Sequence, residues 1–167
     1  LLKYAKKISS FFDLKDTLAY LCDERRIMAY EYKGFARCID SYESYYKVSM
    51  EFLDMDISTQ VFKSTWPIFT NTNDTPPTKY LKNAQVKKSF VANGVIVDGD
   101  VEGSILSRNV VIGKNAVVKN CIILNGSHVS AGAHLENVII DKDARIEKKK
   151  ELVSVGEPLY VKEGDVV

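Results

Sequence analysis

The sequence predicts a mainly β fold: a left-handed parallel β-helix over residues 79–167, preceded by a truncated α/β region over residues 1–78. The first observation behind this prediction is an internal repeat. When the chain is aligned with itself at a shift of 17 residues, residues 101–112 match residues 118–129 and residues 135–146. The second observation is that large aliphatic residues recur at steps of five, six and six, which indicates a coil with three short strands per turn.

Within the repeats, the residue types fall into columns. The large aliphatic residues are expected to point into the axis of the coil: Val86, Val91, Val97, Val101, Leu106, Ile112, Val118, Ile123, Val129, Leu135, Ile140 and Ile146. Small or β-branched residues come two positions earlier, at tight corners: Ser104, Val110, Ala116, Cys121, Ser127, Ala133, Val138 and Ala144. An antiparallel sandwich is the alternative fold, but the repeats contain few of the hairpin turns that it needs.

A third column holds Ile105, Ile122 and Ile139, just before the second inward aliphatic residue of each repeat. These side chains are expected to point outward from one flat face, where three stacked isoleucines need a cover. We therefore expect an interface at this column, either with the preceding α/β region or with another subunit. The three lysines at residues 148–150 are interpreted as a solvated corner, and residues 152–167 as a pair of strands that caps the coil.

The region before the coil carries the patterns of two helices. The first is predicted at residues 13–25, with Asp13 as its cap, and a strand follows at residues 26–32. The second begins after Ser41, its N-cap. Its apolar residues recur at helical spacing: Tyr42, Tyr46, Met50 and Leu53.

An extended stretch at residues 62–70 and a polar, proline-bearing linker at residues 71–78 complete this region. The boundary between the two predicted domains therefore falls after residue 78.

The composition excludes several classes of function. A formal net charge of +1 gives no field that favours nucleic acid or an anionic membrane, and no apolar run is long enough to cross a bilayer. The three cysteines are an odd number without the short spacings of metal or redox sites, which fits a reducing cytoplasm. Because the chain begins with Leu1 rather than Met, we expect it to be part of a longer protein.

Several segments together carry a family resemblance. Residues 104–126 and 135–146 resemble the β-helix of bacterial ADP-glucose pyrophosphorylase, the glucose-1-phosphate adenylyltransferase of glycogen synthesis. Residues 29–54 resemble the end of that family's nucleotidyltransferase domain, and residues 155–167 resemble its C-terminus. The repeat alone is shared by many transferases, whereas the linked order of these segments is more specific. The glycine-rich nucleotide-binding loop of the family is absent from these residues.

One motif departs from the catalytic members of the family, which have Trp near the sugar phosphate and Asp helping to hold Mg²⁺. The chain has Ala36 at the Trp position and Cys38 at the Asp position. A neutral thiol is a poor ligand for Mg²⁺, so this departure implies that catalysis is impaired. It is similar to the GlgD-type regulatory subunit, which pairs with a catalytic GlgC-type subunit in a hetero-oligomer. We accordingly predict no catalytic residue, metal site or cofactor in this chain.

The resemblance also implies an allosteric sugar-phosphate or phosphate site between the two domains. Lys87, Lys88 and Arg108 are the candidate ligands, since a cationic cluster binds phosphate.

Two other functions stay open at this point. The first is an active adenylyltransferase in which Asp40 replaces the missing carboxylate. The second is a hexapeptide-repeat acyltransferase, which would use His128 or His134 as general base. Both histidines are expected on the outside of the coil.

Overall fold

The structure is a computed structural model that describes residues 14–65, 67–70, 74–147 and 151–167. The chain divides into two compact units, residues 1–34 and 35–167. The boundary predicted after residue 78 marks the start of the coil, whereas the compact unit that contains the coil begins earlier.

The first unit contains helix α1 (Leu14–Glu24), as predicted, with Thr17 and Leu21 buried one turn apart. The predicted cap Asp13 lies outside the described residues. The strand predicted at residues 26–32 is wrong, because these residues pair with no strand in the described part of the chain. Their aromatic side chains are exposed, and an extended segment without a neighbour cannot satisfy its backbone groups in a ladder.

The second unit begins with two helices, α2 (Tyr42–Glu51) and α3 (Met55–Val61). The predicted N-cap of α2 is confirmed: Ser41 and Ser44 form a reciprocal capping box. Asp54 caps α3 by accepting a hydrogen bond from the backbone N–H of Asp56 at 2.8 Å. The extended stretch predicted at residues 62–70 forms no strand where it is described.

Fifteen short strands follow, arranged in three parallel sheets of five strands each. Sheet A contains β1 (Lys79–Tyr80), β4 (Ile96–Val97), β7 (Val111–Ile112), β10 (His128–Val129) and β13 (Arg145–Ile146). Sheet B contains β2 (Gln85–Lys87), β5 (Asp100–Glu102), β8 (Val117–Lys119), β11 (His134–Glu136) and β14 (Glu151–Val153). Sheet C contains β3 (Phe90–Val91), β6 (Ile105–Leu106), β9 (Ile122–Ile123), β12 (Val138–Ile140) and β15 (Leu159–Val161). Each turn contributes one strand to each sheet, which confirms the predicted three-sided coil.

The strand register confirms the 17-residue repeat. Val118 pairs with Leu135, which pairs with Leu152, so each aliphatic side chain stacks on its equivalent in the next turn. Every inward position predicted from Val97 to Ile146 is at most 1% exposed, as is every predicted corner position. Val86 and Val91, in the first turn, are partly buried against the same core. The apolar column is therefore continuous along the axis.

One corner of the coil is shorter than the others. Val86 pairs with Val101, a step of 15 residues instead of 17, because the step from Val97 to Val101 is four residues instead of six. Gly99 occupies this short corner. A Cβ atom there would lie 2.3 Å from the backbone oxygen of Ala116, so the close approach of two turns requires glycine.

Residues with a left-handed backbone occupy another corner in four successive turns. They are Lys88 (φ 47), Gly103 (φ 56), Asn120 (φ 49) and Asn137 (φ 57). Gly and Asn tolerate this conformation, whereas it is unfavourable for a long side chain such as lysine.

The end of the chain continues the coil. The two strands predicted in residues 152–167 are present as β14 and β15, but they pair in parallel with β11 and β12 and complete a fifth turn. They lie at the end of the coil, where the cap was predicted. The predicted lysine corner at residues 148–150 lies outside the described residues. Among the described helices, none has the length and apolar character needed to span a membrane.

Candidate functional site

Helix α2 lies over the outer surface of sheet C, where the isoleucine column stands. Ile122 and Ile139 are each only 1% exposed, and Ile105 is half-buried. Tyr45 and Phe52 of the α2 region line a cleft together with this column. A cover for the isoleucines is thus present within residues 35–167, so the burial of Ile122 and Ile139 requires no second subunit.

Two tyrosines of α2 contact the coil directly. The Tyr46 hydroxyl donates a hydrogen bond of 2.7 Å to the backbone oxygen of Asn120, and burial raises the pKa of Tyr46 to about 12. The Tyr42 ring stacks on Tyr160 of β15, with centroids 4.3 Å apart and an interplanar angle of 19°. The helix is therefore fixed to the middle and to the last turn of sheet C.

The Tyr160 hydroxyl is bound in turn by Asp141, at the end of β12. It donates a hydrogen bond of 2.5 Å to Asp141 Oδ2, and this bond raises the pKa of Tyr160 above its usual range. In the strand register Tyr160 follows Ile139, so the outward column of sheet C ends in an aromatic residue.

The segment that carries the altered family motif, residues 34–41, leads directly into α2. Arg37 lies over the Phe35 ring at 4.6 Å and pairs with Glu51 at 2.9 Å, which holds the segment along the helix. The Ser44 hydroxyl accepts backbone hydrogen bonds from Asp40 (3.0 Å) and Ser41 (2.9 Å).

Both altered motif positions, Ala36 and Cys38, are exposed on this segment. Cys38 and Asp40 offer one thiol and one carboxylate, a donor set that does not fit Mg²⁺, which requires several oxygen ligands. In the part of the chain that the structure describes, no three His, Cys, Asp or Glu side chains are grouped so that they can hold a metal ion.

A groove of about 530 Å³ lies between the start of α2 and sheet C, and we call it the tyrosine groove. One wall is formed by Ile39, Asp40, Ser41, Tyr42 and Tyr45, and the other by Leu124, Ile139, Asp141 and Tyr160. Sequence reasoning did not identify Asp141 and Tyr160 as site residues. The 17-residue repeat would have placed Gly156 after Ile105, Ile122 and Ile139, whereas the strand register places Tyr160 there, so the repeat gave no signal for this residue.

The three predicted phosphate ligands lie at two different corners of the coil. Lys87 and Lys88 are at the corner between sheets B and C, and Arg108 is at the corner between sheets C and A. At about 3.3 Å per residue, the width of sheet C separates the two backbone corners by roughly 15 Å. Lys87 also pairs in register with Glu102, so a carboxylate neighbours it on the same sheet. The phosphate site stays a prediction, with Lys87 and Lys88 adjacent and Arg108 apart.

The other candidate reactive groups lie elsewhere on the coil. His128 and His134 occupy outward positions, as predicted, and His134 Nε2 is 4.0 Å from Glu136 Oε2. Cys121 is fully buried at a corner, and burial raises the pKa of its thiol to about 12. A thiol that stays protonated and inaccessible is not a nucleophile.

Comparisons with known proteins agree with the fold and with the resemblance. The family model described as GlmU-like, C-terminal hexapeptide matches residues 76–158. The glycogen biosynthesis protein GlgD of Bacillus subtilis (strain 168) is 45% identical over 139 residues, which are 83% of this chain and 40% of that protein. GlgD of Geobacillus stearothermophilus is 51% identical over 70 residues, which are 42% of this chain and 20% of that protein.

An enzyme is also among the similar proteins. The glucose-1-phosphate adenylyltransferase of Corynebacterium jeikeium (strain K411) is 32% identical over 116 residues, which are 68% of this chain and 29% of the enzyme. The chain thus spans at most 40% of the length of these three relatives. The chain has a higher sequence identity with the two GlgD proteins than with this enzyme. Its hexapeptide coil and its similarity to both kinds of protein show that the chain belongs to the ADP-glucose pyrophosphorylase family.

Proposed function

We propose that this chain is part of a subunit that acts in glycogen biosynthesis by regulating and assembling with a catalytic adenylyltransferase subunit, in the cytoplasm, rather than by forming ADP-glucose itself. The observation that carries the proposal is the chemistry of residues 34–41. Ala36 and Cys38 replace the Trp and the Asp of the catalytic motif that the family resemblance implies.

The missing carboxylate at residue 38 is a group that the reaction needs. Transfer of a nucleotidyl group develops negative charge on phosphate oxygens, which Mg²⁺ neutralises when carboxylates hold it in place. A neutral thiol at residue 38 supplies neither the negative charge nor the hard oxygen that this ion prefers. We infer that the subunit has lost the ability to place the ion.

The contacts that position this segment support a structural role. Arg37 pairs with Glu51, and Ser44 binds the backbone of Asp40, so the segment is attached to α2 at these two points. Helix α2 is attached to the coil through Tyr46 and Tyr42. A partner that binds the coil would therefore bind a body that is continuous with the former catalytic segment.

A second candidate is an active adenylyltransferase, and one observation favours it. Asp40 is exposed and lines the same groove as Asp141, so two carboxylates lie near the altered motif. Under this alternative Asp40 replaces the carboxylate that is missing at residue 38.

An assay of ADP-glucose formation separates the two functions. It uses a longer protein that supplies the parts of the GlgD relatives that this chain does not span, alone and mixed with a glucose-1-phosphate adenylyltransferase from the same organism. We expect no activity alone, and a raised rate or an altered substrate affinity in the mixture. Activity alone that disappears in Asp40→Asn would establish the second function, and no effect in the mixture would contradict the regulatory role.

The variant pair Ala36→Trp and Cys38→Asp sharpens this test. If the two replacements are what removed catalysis, restoring both in the longer protein is expected to give measurable activity alone. The matched control is Cys38→Asn, which has a similar size but brings no negative charge, and which is expected to stay inactive.

A further inference from the structure

The tyrosine groove carries negative charge from two aspartates, and the regulatory role proposed above does not use this charge. Asp40 lies on the wall formed by the start of α2, and Asp141 lies on the wall formed by the coil. None of the described residues that line the groove is a lysine or an arginine. An anionic occupant such as a phosphate would be repelled, whereas a cationic occupant would be attracted from both walls.

Both carboxylates are able to accept further hydrogen bonds. Asp40 is exposed, and its carboxylate has no hydrogen bond or ion pair with the described residues. Asp141 accepts one hydrogen bond from the Tyr160 hydroxyl at 2.5 Å and one from the Lys142 backbone at 2.8 Å. A carboxylate has about four lone-pair sites, so Asp141 keeps capacity for an additional donor.

The aromatic side chains add a surface for a flat cation. One face of the Tyr42 ring stacks on Tyr160, while Tyr42 as a whole is 59% exposed. Tyr45 lines the same groove and is half-buried. Cations are attracted to the faces of such rings, most often those of arginine.

We propose that the tyrosine groove is a docking site for an arginine side chain of a partner protein. A guanidinium group is planar, stacks on aromatic rings and donates two parallel hydrogen bonds to a carboxylate, so it suits a groove lined by tyrosines and aspartates. A lysine ammonium offers a point charge without the flat face. The identity of the partner protein rests on the proposed function. The groove and its charge do not, because they are features of this chain.

The test uses the whole chain and N-acetyl-arginine amide as the probe, with backbone amide shifts followed by NMR. We expect saturable shifts at residues 39–42 and 139–141, with an affinity in the millimolar range that is usual for one side chain. The shifts should decrease as salt is added, because the pairing is electrostatic. N-acetyl-citrulline amide has the same shape without the charge and should give no saturable shift.

Two variants make the assignment specific. Asp40→Asn removes one carboxylate from an exposed position and is expected to weaken binding about threefold to fivefold. Asp100→Asn is the matched control, because Asp100 is an exposed aspartate on sheet B, away from the groove, and should leave binding unchanged. The proposal is overturned if the citrulline probe binds as well as the arginine probe, or if no saturation is seen. None of these results depends on the ADP-glucose assay, so the two proposals fail separately.

Discussion

Replacing Ile122 by alanine tests whether the packing of α2 on sheet C stabilises the protein. Ile122 is an outward-facing residue of β9, yet it is only 1% exposed because α2 lies over it. The change removes three carbon atoms, worth about 0.8 kcal/mol each in transfer from water, and leaves a cavity that adds to the loss. We expect the free energy of unfolding to fall by roughly 3 to 4 kcal/mol.

Ile96→Ala is the matched control for this change. Ile96 has the same residue type and the same outward position in its strand, but it lies on sheet A and is half-buried. Its replacement should cost only about 1 kcal/mol, because less apolar surface returns to water.

The measurement is urea denaturation followed by far-UV circular dichroism, with hydrogen exchange of the α2 amides as a second readout. Ile122→Ala should accelerate exchange in α2, whereas Ile96→Ala should not. Equal losses of stability in the two variants, or unchanged exchange in α2 after Ile122→Ala, would refute the packing of α2 on sheet C.

Three further predictions follow from individual contacts. Burial raises the pKa of Tyr46 to about 12, so the stability that its protonated hydroxyl contributes is complete below about pH 10 and is lost as the pH rises toward about 12. Between these pH values the urea midpoint should therefore fall less in Tyr46→Phe than in the unsubstituted protein. At neutral pH a thiol reagent should label exposed Cys22 and Cys38 rapidly and buried Cys121 only after denaturation, and rapid labelling of three thiols would contradict the corner assignment. Gly99→Ala should lower stability by about 1 to 3 kcal/mol in thermal unfolding, since its Cβ atom would lie 2.3 Å from a backbone oxygen; no loss would show that this corner relaxes freely.

The coil was predictable because residues at equivalent positions of successive turns contact one another in its core. An inward residue such as Val118 meets its own equivalent one turn away, so a local repeat in the sequence also specifies the long-range contacts. The cap of α2 was predictable for a similar reason, since Ser41 acts on the backbone three residues later. Patterns that are satisfied by nearby or equivalent residues can be read from one chain.

The wrong and the missing predictions concern contacts that no local pattern specifies. Residues 26–32 alternate like a strand, but a strand exists only when another one pairs with it. The tyrosine groove depends on residues 40–45 meeting Asp141 and Tyr160, about a hundred positions later in the sequence. The cover over the isoleucine column was predicted, whereas the chain that supplies it was left open, because surface apolarity alone does not identify the partner.

The contacts that position residues 34–41 are separate from the groups that the family's chemistry needs. Arg37, Ser44 and Tyr46 hold the segment and its helix on the coil through an ion pair and hydrogen bonds to the backbone. None of these contacts involves the exposed side chains of Ala36 and Cys38. Loss of a catalytic group at either position therefore leaves the docking of α2 intact. If the subunit has lost the metal-binding carboxylate, as we propose, this separation explains in physical terms how it keeps the architecture of an active one.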